Sequence, residues 1–341
     1  MAATDKVLVL CDTLSPTGLD DDYTAELKDP DWVTEADVVA ALRTLGHPHA
    51  LLGVFDNLDL IRQKIAAFQP DVIFNLLDCF KGNSALDQHI AALLELHGVP
   101  FSGCGALGLT LAKHKGIAKQ ILSYHRIRVP QFALFPPGKK IVRPRRLQFP
   151  VFIKPTKQEA SFGIAQASFV ETDEQLVERV TFIHEKFRQD AIVEEYIHGR
   201  ELYVSVLGND RLQVFPIREM LFQEIPPDEP RFASFKAKWD EDYRKRWGIR
   251  NCFATGLDPA LVKQIERVCK RIYRLLAITG YARIDLRLTA DGQIVFIEAN
   301  PNPMLAAEED FAQSAAKAGL PFPQLIEKLL ALAKTTRRES T

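Results

Sequence analysis

Between Gly280 and Asn300 the chain reads GYARIDLRLTADGQIVFIEAN. Two alternating stretches flank Asp291-Gly292, a dipeptide suited to a two-residue β-turn. If those two residues form the turn, Ala290 pairs with Gln293. Counting outward sets Asp285 opposite Glu298 and Arg283 opposite Asn300. Strand residues two apart share a face. Arg283, Asp285, Glu298 and Asn300 therefore project from one side, and the apolar Ala282, Ile284, Leu286, Val295 and Ile297 from the other. Carboxylates facing each other across a ladder repel, and a divalent cation between them removes that cost. Two carboxylates and an amide oxygen suit Mg²⁺, with Mn²⁺ as the alternative, and leave room for phosphate and water oxygens. No cysteine or histidine joins the set, which points to phosphate chemistry and away from zinc hydrolysis. The competing reading is a solvent-facing hairpin whose charges do nothing together.

Phosphate chemistry needs cations, and the chain offers some upstream. Phe149-Pro-Val-Phe-Ile-Lys-Pro155 reads as a buried strand ending in Lys154, and a lysine among apolar residues needs an anionic partner. The loop that follows, Thr156 to Ile164, contains Ala160, Ser161 and Gly163. Such small residues let a loop fold over phosphates and donate backbone N–H groups. It is not a P-loop, because G-x-x-x-x-G-K-[ST] occurs nowhere. Val193 to Leu202 (VEEYIHGREL) then sets Glu194 and Tyr196 on one strand face. A carboxylate or backbone amides there can hold an adenine amino group, with Tyr196 and Ile197 as apolar walls and Glu201 accepting from ribose hydroxyls. Each piece alone is ordinary. Their order carries the argument: lysine-ending strand, small-residue loop, acidic strand-turn-strand, acidic hairpin.

The elements that must position these residues fall into two grammars. Up to about residue 108, strands alternate with helices: Lys6–Cys11, Val33–Leu45, Leu58–Phe68, Asp71–Asn75 and Leu86–His97. Thr34 suits the N-cap of the first helix, with Glu35 and Asp37 behind it, and Gly46 stops it. This pattern predicts a small doubly wound parallel α/β domain. No G-x-G-x-x-G follows the first strand, so dinucleotide binding has no support there. Residues 136–149 are proline-rich and basic and read as a connector. Beyond it the pattern is α+β: strands at Phe149–Lys154, Ala191–Ile197, Leu202–Leu207 and Leu212–Ile217, and helices at Glu174–Lys186, Pro259–Leu276 and Leu325–Ala333.

The 341 residues suffice for two or three domains. A net charge of −1 provides no field to recruit nucleic acid or an anionic membrane. The five cysteines form no C-x-x-C pair, which argues against zinc and redox dithiols. No signal core and no membrane-length apolar run is present, so the sequence predicts a cytoplasmic protein. His47, His49, His97 and His114 read as surface or structural, since nothing in this chemistry needs a histidine nucleophile.

The order of motifs resembles the ATP-grasp superfamily, and within it D-alanine–D-alanine ligase and its relatives, from about Ile73 to Leu305. The resemblance implies an ATP-grasp fold divided at 1–108, 109–200 and 201–335, with 336–341 as a tail. It implies a carboxylate–amine ligase that forms an acyl phosphate from ATP and takes small-molecule carboxylate and amine substrates. A homodimer is common among such relatives, although no patch in the sequence marks an interface. By the same resemblance Lys115, in preference to Lys113, and Lys154 hold the ATP phosphates. Ser161 belongs to the lid, Glu194, Tyr196, Ile197 and Glu201 contact adenine and ribose, and Lys238 approaches the γ-phosphate from a mobile loop. Asp285, Glu298 and Asn300 hold magnesium, and Arg283 stabilises the transferred phosphoryl group.

This chain departs from the family pattern around the substrates. Cys11-Asp-Thr-Leu-Ser15 replaces the histidine-glycine-glycine start, and the glutamate that grips the first substrate's amine has no counterpart. Ala160-Ser161 replaces two lid serines, and Trp239 a tyrosine. Asn300-Pro-Asn-Pro-Met-Leu-Ala-Ala-Glu-Glu-Asp310 puts Glu309 near the serine that holds the second substrate's carboxylate. A carboxylate there repels another and attracts a cation. The expected acceptor is therefore not D-alanine. The alternatives are a D-alanine–D-alanine ligase of cell-wall synthesis and an ATP-binding module without catalysis.

Overall fold

The computed structural model describes residues 4–158, 161–226 and 229–335. The tail at 336–341 lies outside them, as does Ala160 of the lid. β1 (Val7–Asp12), β2 (His49–Val54) and β3 (Val72–Asn75) form a parallel sheet in the order β2-β1-β3. The unbroken apolar run of β1 fits a strand covered on both faces. Val7, Val9 and Phe74 face α1 (Val33–Leu45) and the last helix, Phe322–Thr335. Leu8, Leu10 and Ile73 face α2 (Asp59–Phe68) and α3 (Asp87–His97). This is the doubly wound arrangement expected.

One local expectation fails here, and one strand was missed. Thr34 does not cap α1: Asp29 caps a 3₁₀ turn, Pro30–Trp32, that runs straight into the helix, so Thr34 lies in its first turn. β2 was not foreseen, because a short strand containing Gly53 reads weakly. The Tyr23 hydroxyl explains that glycine. It lies 2.9 Å from the Gly53 amide and 2.8 Å from where a Cβ would stand.

α4 (Ala106–Lys113) and α5 (Lys115–Tyr124) lead to a second sheet. There β4 (Phe132–Phe135), β5 (Val151–Pro155), β6 (Phe169–Val170) and β7 (Ala191–Glu195) run antiparallel in the order β4-β7-β5-β6, backed by α6 (Asp173–Phe187). Residues 136–149 between β4 and β5 hold no helix or strand, as a connector should.

The third sheet contains β8 (Arg200–Leu207), β9 (Gln213–Val214), β10 (Arg218–Phe222), β11 (Ile249–Phe253), β12 (Tyr281–Leu288) and β13 (Ile294–Pro301). Its order is β11-β10-β8-β12-β13, with β9 beside β8. Between β10 and β11 lie two short helices, α7 (Phe235–Trp239) and α8 (Glu241–Arg246). α9 (Pro259–Leu275) packs Ile265, Cys269 and Ile272 against the apolar face of the sheet. α10 (Asp310–Lys317) and α11 (Phe322–Thr335) return the chain to the first sheet.

The β12–β13 hairpin contains the key register. Arg283 pairs with Asn300 and Asp285 with Glu298, as counted from the sequence. The route to that register differs. Thr289 bonds to Gln293, so the loop is Ala290-Asp291-Gly292, three residues and not two. Up to Leu286↔Phe296 the ladder is one step out, and Ile297 is then an extra residue that restores the count. This β-bulge also corrects the apolar face. Phe296, not Ile297, joins Ile284 and Leu286 in the core, and Ile297 turns to the cleft.

Candidate active site

A cleft opens between the second and third sheets. Lys154, Ser161, Glu194, Tyr196, Ile197, Glu201, Lys238, Asp285 and Glu298 line it. Arg283, Asn300 and Glu309 line an adjoining cleft, and Lys238 belongs to both. Lys115 is buried beside them, its Nζ 2.6 Å from the Gln158 carbonyl and 3.6 Å from Glu298. Lys113 instead pairs with Asp87 at 2.5 Å. The structure thus brings the candidate nucleotide, metal and acceptor residues together around two cavities that share Lys238.

The lysine of β5 has the anion its burial demands. Lys154 Nζ lies 3.0 Å from Glu194 Oε2, and Lys119 Nζ lies 3.0 Å from the other oxygen. All three side chains are buried. Burial alone pushes Glu194 up, yet Lys119 and Lys154 together hold its carboxyl below the usual range. Burial lowers Lys119 to about 8 despite Glu194. Lys119 was not foreseen. Its only signal was its place four residues after Lys115, on the helix face shared with Ala118 and Leu122.

The two acids of the hairpin face one cleft but sit in unlike fields. Arg283 grips Asp285 through two hydrogen bonds of 2.8 and 2.9 Å, and Asn300 donates to it at 3.1 Å. Burial, opposed by Arg283 and reinforced by Glu298, leaves Asp285 above the usual range. Glu298 is also pushed up by burial, but Lys115, Lys154, Lys238 and Arg283 pull it far below. With its amide nitrogen turned to Asp285, Asn300 keeps its oxygen for another partner. Two carboxylates and an amide oxygen form an all-oxygen donor set, which fits a hard divalent cation. Among the described residues, Asp12, Asp78 and Cys79 also bring three candidate ligand atoms together, and Asp78 and Cys79 line the adjoining cleft.

Apolar side chains also wall the cleft: Phe152, Ile164, Phe232 and Ile297 beside Tyr196 and Ile197. The Tyr196 hydroxyl donates to the Arg231 carbonyl at 2.9 Å. Glu201 accepts from Arg287 at 2.7 Å and from Tyr203 at 3.0 Å. Arg287 was also missed, although its alternation with Arg283 and Asp285 was visible. The described part of the lid meets the segment that leads into α7. Ser161, in the left-handed region at φ 62°, donates to the Ala233 carbonyl at 2.8 Å. Phe162 and Phe235 meet with ring centroids 5.2 Å apart. Lys238 stands on the short helix α7, whose N-terminus Ser234 caps.

In the second cleft Asp310 is held by Arg218 at 2.8 Å and Asn251 at 2.7 Å. Glu309, half-buried beside it, has no hydrogen-bonded side-chain partner among the described residues. Burial and the neighbouring Asp310 raise its carboxyl above the usual range. The remaining histidines named above are structural where the geometry speaks: His47 bonds Glu327 at 2.8 Å, and His114 caps α5.

The sequence model of the family described as "D-ala D-ala ligase C-terminus" matches residues 117–331. The chain belongs to the D-alanine–D-alanine ligase family of ATP-grasp enzymes. Its relatives agree. A D-alanine–D-alanine ligase of Desulfotalea psychrophila is 30% identical over 294 residues, covering 85% of this chain and 87% of that protein. An uncharacterised protein, y4sG, of Sinorhizobium fredii is 31% identical over 301 residues, covering 87% and 86%. The fold matches the crystal structure of D-alanine–D-alanine ligase from Bacillus anthracis complexed with ATP. The TM-score is 0.74 at 19% identity, over 97% of this chain and 98% of that one. The protein is thus an ADP-forming ATP-grasp ligase of a family that uses ATP and a divalent metal. Among its described residues no helix is long and apolar enough to cross a membrane.

Proposed function

We propose that this ligase activates a carboxylate with ATP and Mg²⁺ and couples it to an amine other than D-alanine. Lys115, Lys154 and the lid at Ser161 hold the phosphates, with Lys238 at the γ-phosphate. Tyr196 and Ile197 flank adenine, and Glu201 takes the ribose. Glu194 is already occupied by two lysines, so the backbone of 195–197 receives the adenine amino group. Mg²⁺ held by Asp285, Glu298 and the Asn300 oxygen would offset phosphate charge. The γ-phosphoryl group passes to the substrate carboxylate and ADP leaves. The amine then attacks the acyl carbon and phosphate departs, while Arg283 stabilises the charge that develops on oxygen.

Glu309 carries the acceptor reading. It borders the same cleft as Arg283 and Asn300, and a carboxylate there disfavours an acceptor that presents its own. The acceptor is an amine without a carboxylate at that end, or with a second cationic group. A pooled screen of carboxylates against amines, read as phosphate release, should find pairs that exceed D-alanine with D-alanine. The D-alanine–D-alanine reading has the names of the relatives in its favour. Turnover of D-alanine to the dipeptide at an ordinary rate, roughly 1–10³ s⁻¹, would replace our proposal with it.

A further inference from the structure

Lys119 is fully buried and lines neither cleft. Besides Glu194, its ammonium meets the Ile297 carbonyl, and it lies 5.2 Å from the centroid of the Phe296 ring. Ile297 is the extra residue of the β13 bulge. Side chains alternate along a strand, so a single inserted residue exchanges the two faces beyond it. If the ladder ran on from Leu286↔Phe296 without the bulge, Ile297 would pair with Asp285. Glu298 would then pair with Ile284 and share the core face of Phe296. The bulge is what brings Glu298 to the side of Asp285.

We propose that Lys119 is a positioning residue that locks this bulge, and thereby the register of Glu298 with Asp285, by holding the Ile297 carbonyl and Glu194 together. α5 then serves the site twice. Lys115 approaches Glu298 directly, and Lys119, one turn later, fixes the backbone that presents it. The inference rests on the metal assignment above and is independent of the acceptor. Lys119→Met is a feasible probe. The cluster of Lys119, Glu194 and Lys154 has one positive charge in excess, so its loss leaves a paired Glu194–Lys154 and no stranded ion.

The test is ADP affinity with and without Mg²⁺, measured by calorimetry on wild type, Lys119→Met, Lys119→Arg and Leu122→Ala. Leu122 is buried on the same helix and lines neither cleft, so its variant reports general loosening. In Lys119→Met the gain in ADP affinity that Mg²⁺ confers should fall about 10–100-fold, as when a metal site loses an outer support. Affinity without Mg²⁺ should stay within about threefold, and amide exchange at Ile297 and Glu298 should quicken in the metal-free protein. Lys119→Arg should fall between wild type and Lys119→Met, and decides alone if the latter does not fold. Leu122→Ala should melt earlier with the Mg²⁺ gain intact. An unchanged Mg²⁺ gain, or equal losses with and without Mg²⁺, overturns the proposal. A wild type whose ADP affinity ignores Mg²⁺ overturns the metal assignment with it.

Discussion

The two clefts meet at Lys238 but are built on opposite principles. On the nucleotide side, charges are matched before any ligand arrives: Glu194 between Lys119 and Lys154, Glu201 on Arg287, Asp285 on Arg283. On the substrate side Arg218 and Asn251 hold Asp310, while Glu309 beside it forms no salt bridge among the described residues and feels Arg283 and Arg218 only through space. Matched charges make a rigid, preorganised site for a constant ligand. An unmatched charge at a cleft wall makes a selector. Chemistry common to a family belongs to the first kind, and substrate choice to the second.

That contrast can be broken at either end. The largest effect should come from Asp285→Asn with Glu298→Gln, which empties the oxygen set of charge. We expect Mg²⁺-dependent phosphate release to drop by about 10³ or more, with circular dichroism unchanged. Retained turnover would remove the metal assignment. Glu194→Gln should come next. Breaking a buried charge cluster costs about 3–5 kcal/mol, read as a lower urea midpoint at pH 7. The sign with pH is fixed. Lys119 and Lys154 depress Glu194 in the folded protein, so its contribution is complete above its unfolded value of 4.5 and fades as pH falls below it. The gap between wild type and variant should therefore narrow in acid.

Glu309→Ser tests the selector. We expect the ratio of kcat/KM for carboxylate-bearing over cationic acceptors to rise about 10–100-fold, with KM for ATP unmoved. A fall in ATP affinity would mean that the clefts are not separable in this way. The smallest effect belongs to the lid. Ser161→Ala removes one hydrogen bond to Ala233, worth roughly 0.5–1.5 kcal/mol, so KM for ATP should rise about two- to tenfold.

Legibility in the sequence followed the range of the interactions. The doubly wound first sheet and the run of β12 were readable because periodicity is local. The pairing of Asp285 with Glu298 was reached through two opposite errors, a loop one residue longer than assumed and a bulge at Ile297 that cancels it. Nothing local marked the bulge, because its support comes from Lys119 on a distant helix. Arg218 and Asp310 were invisible for the same reason, being 92 positions apart. Glu309 was visible only as a departure from a family pattern.

The last helix has a consequence for biosynthesis. Leu325, Leu329 and Leu330 of α11 cover the face of the first sheet formed by Val7, Val9 and Phe74. Lys334 clasps Asp5, and Glu327 clasps His47. The opening hundred residues thus leave the ribosome long before the helix that seals them has been made. Until then α1 alone covers that face, and any nascent chain that stalls short of residue 320 offers the rest of it to neighbours.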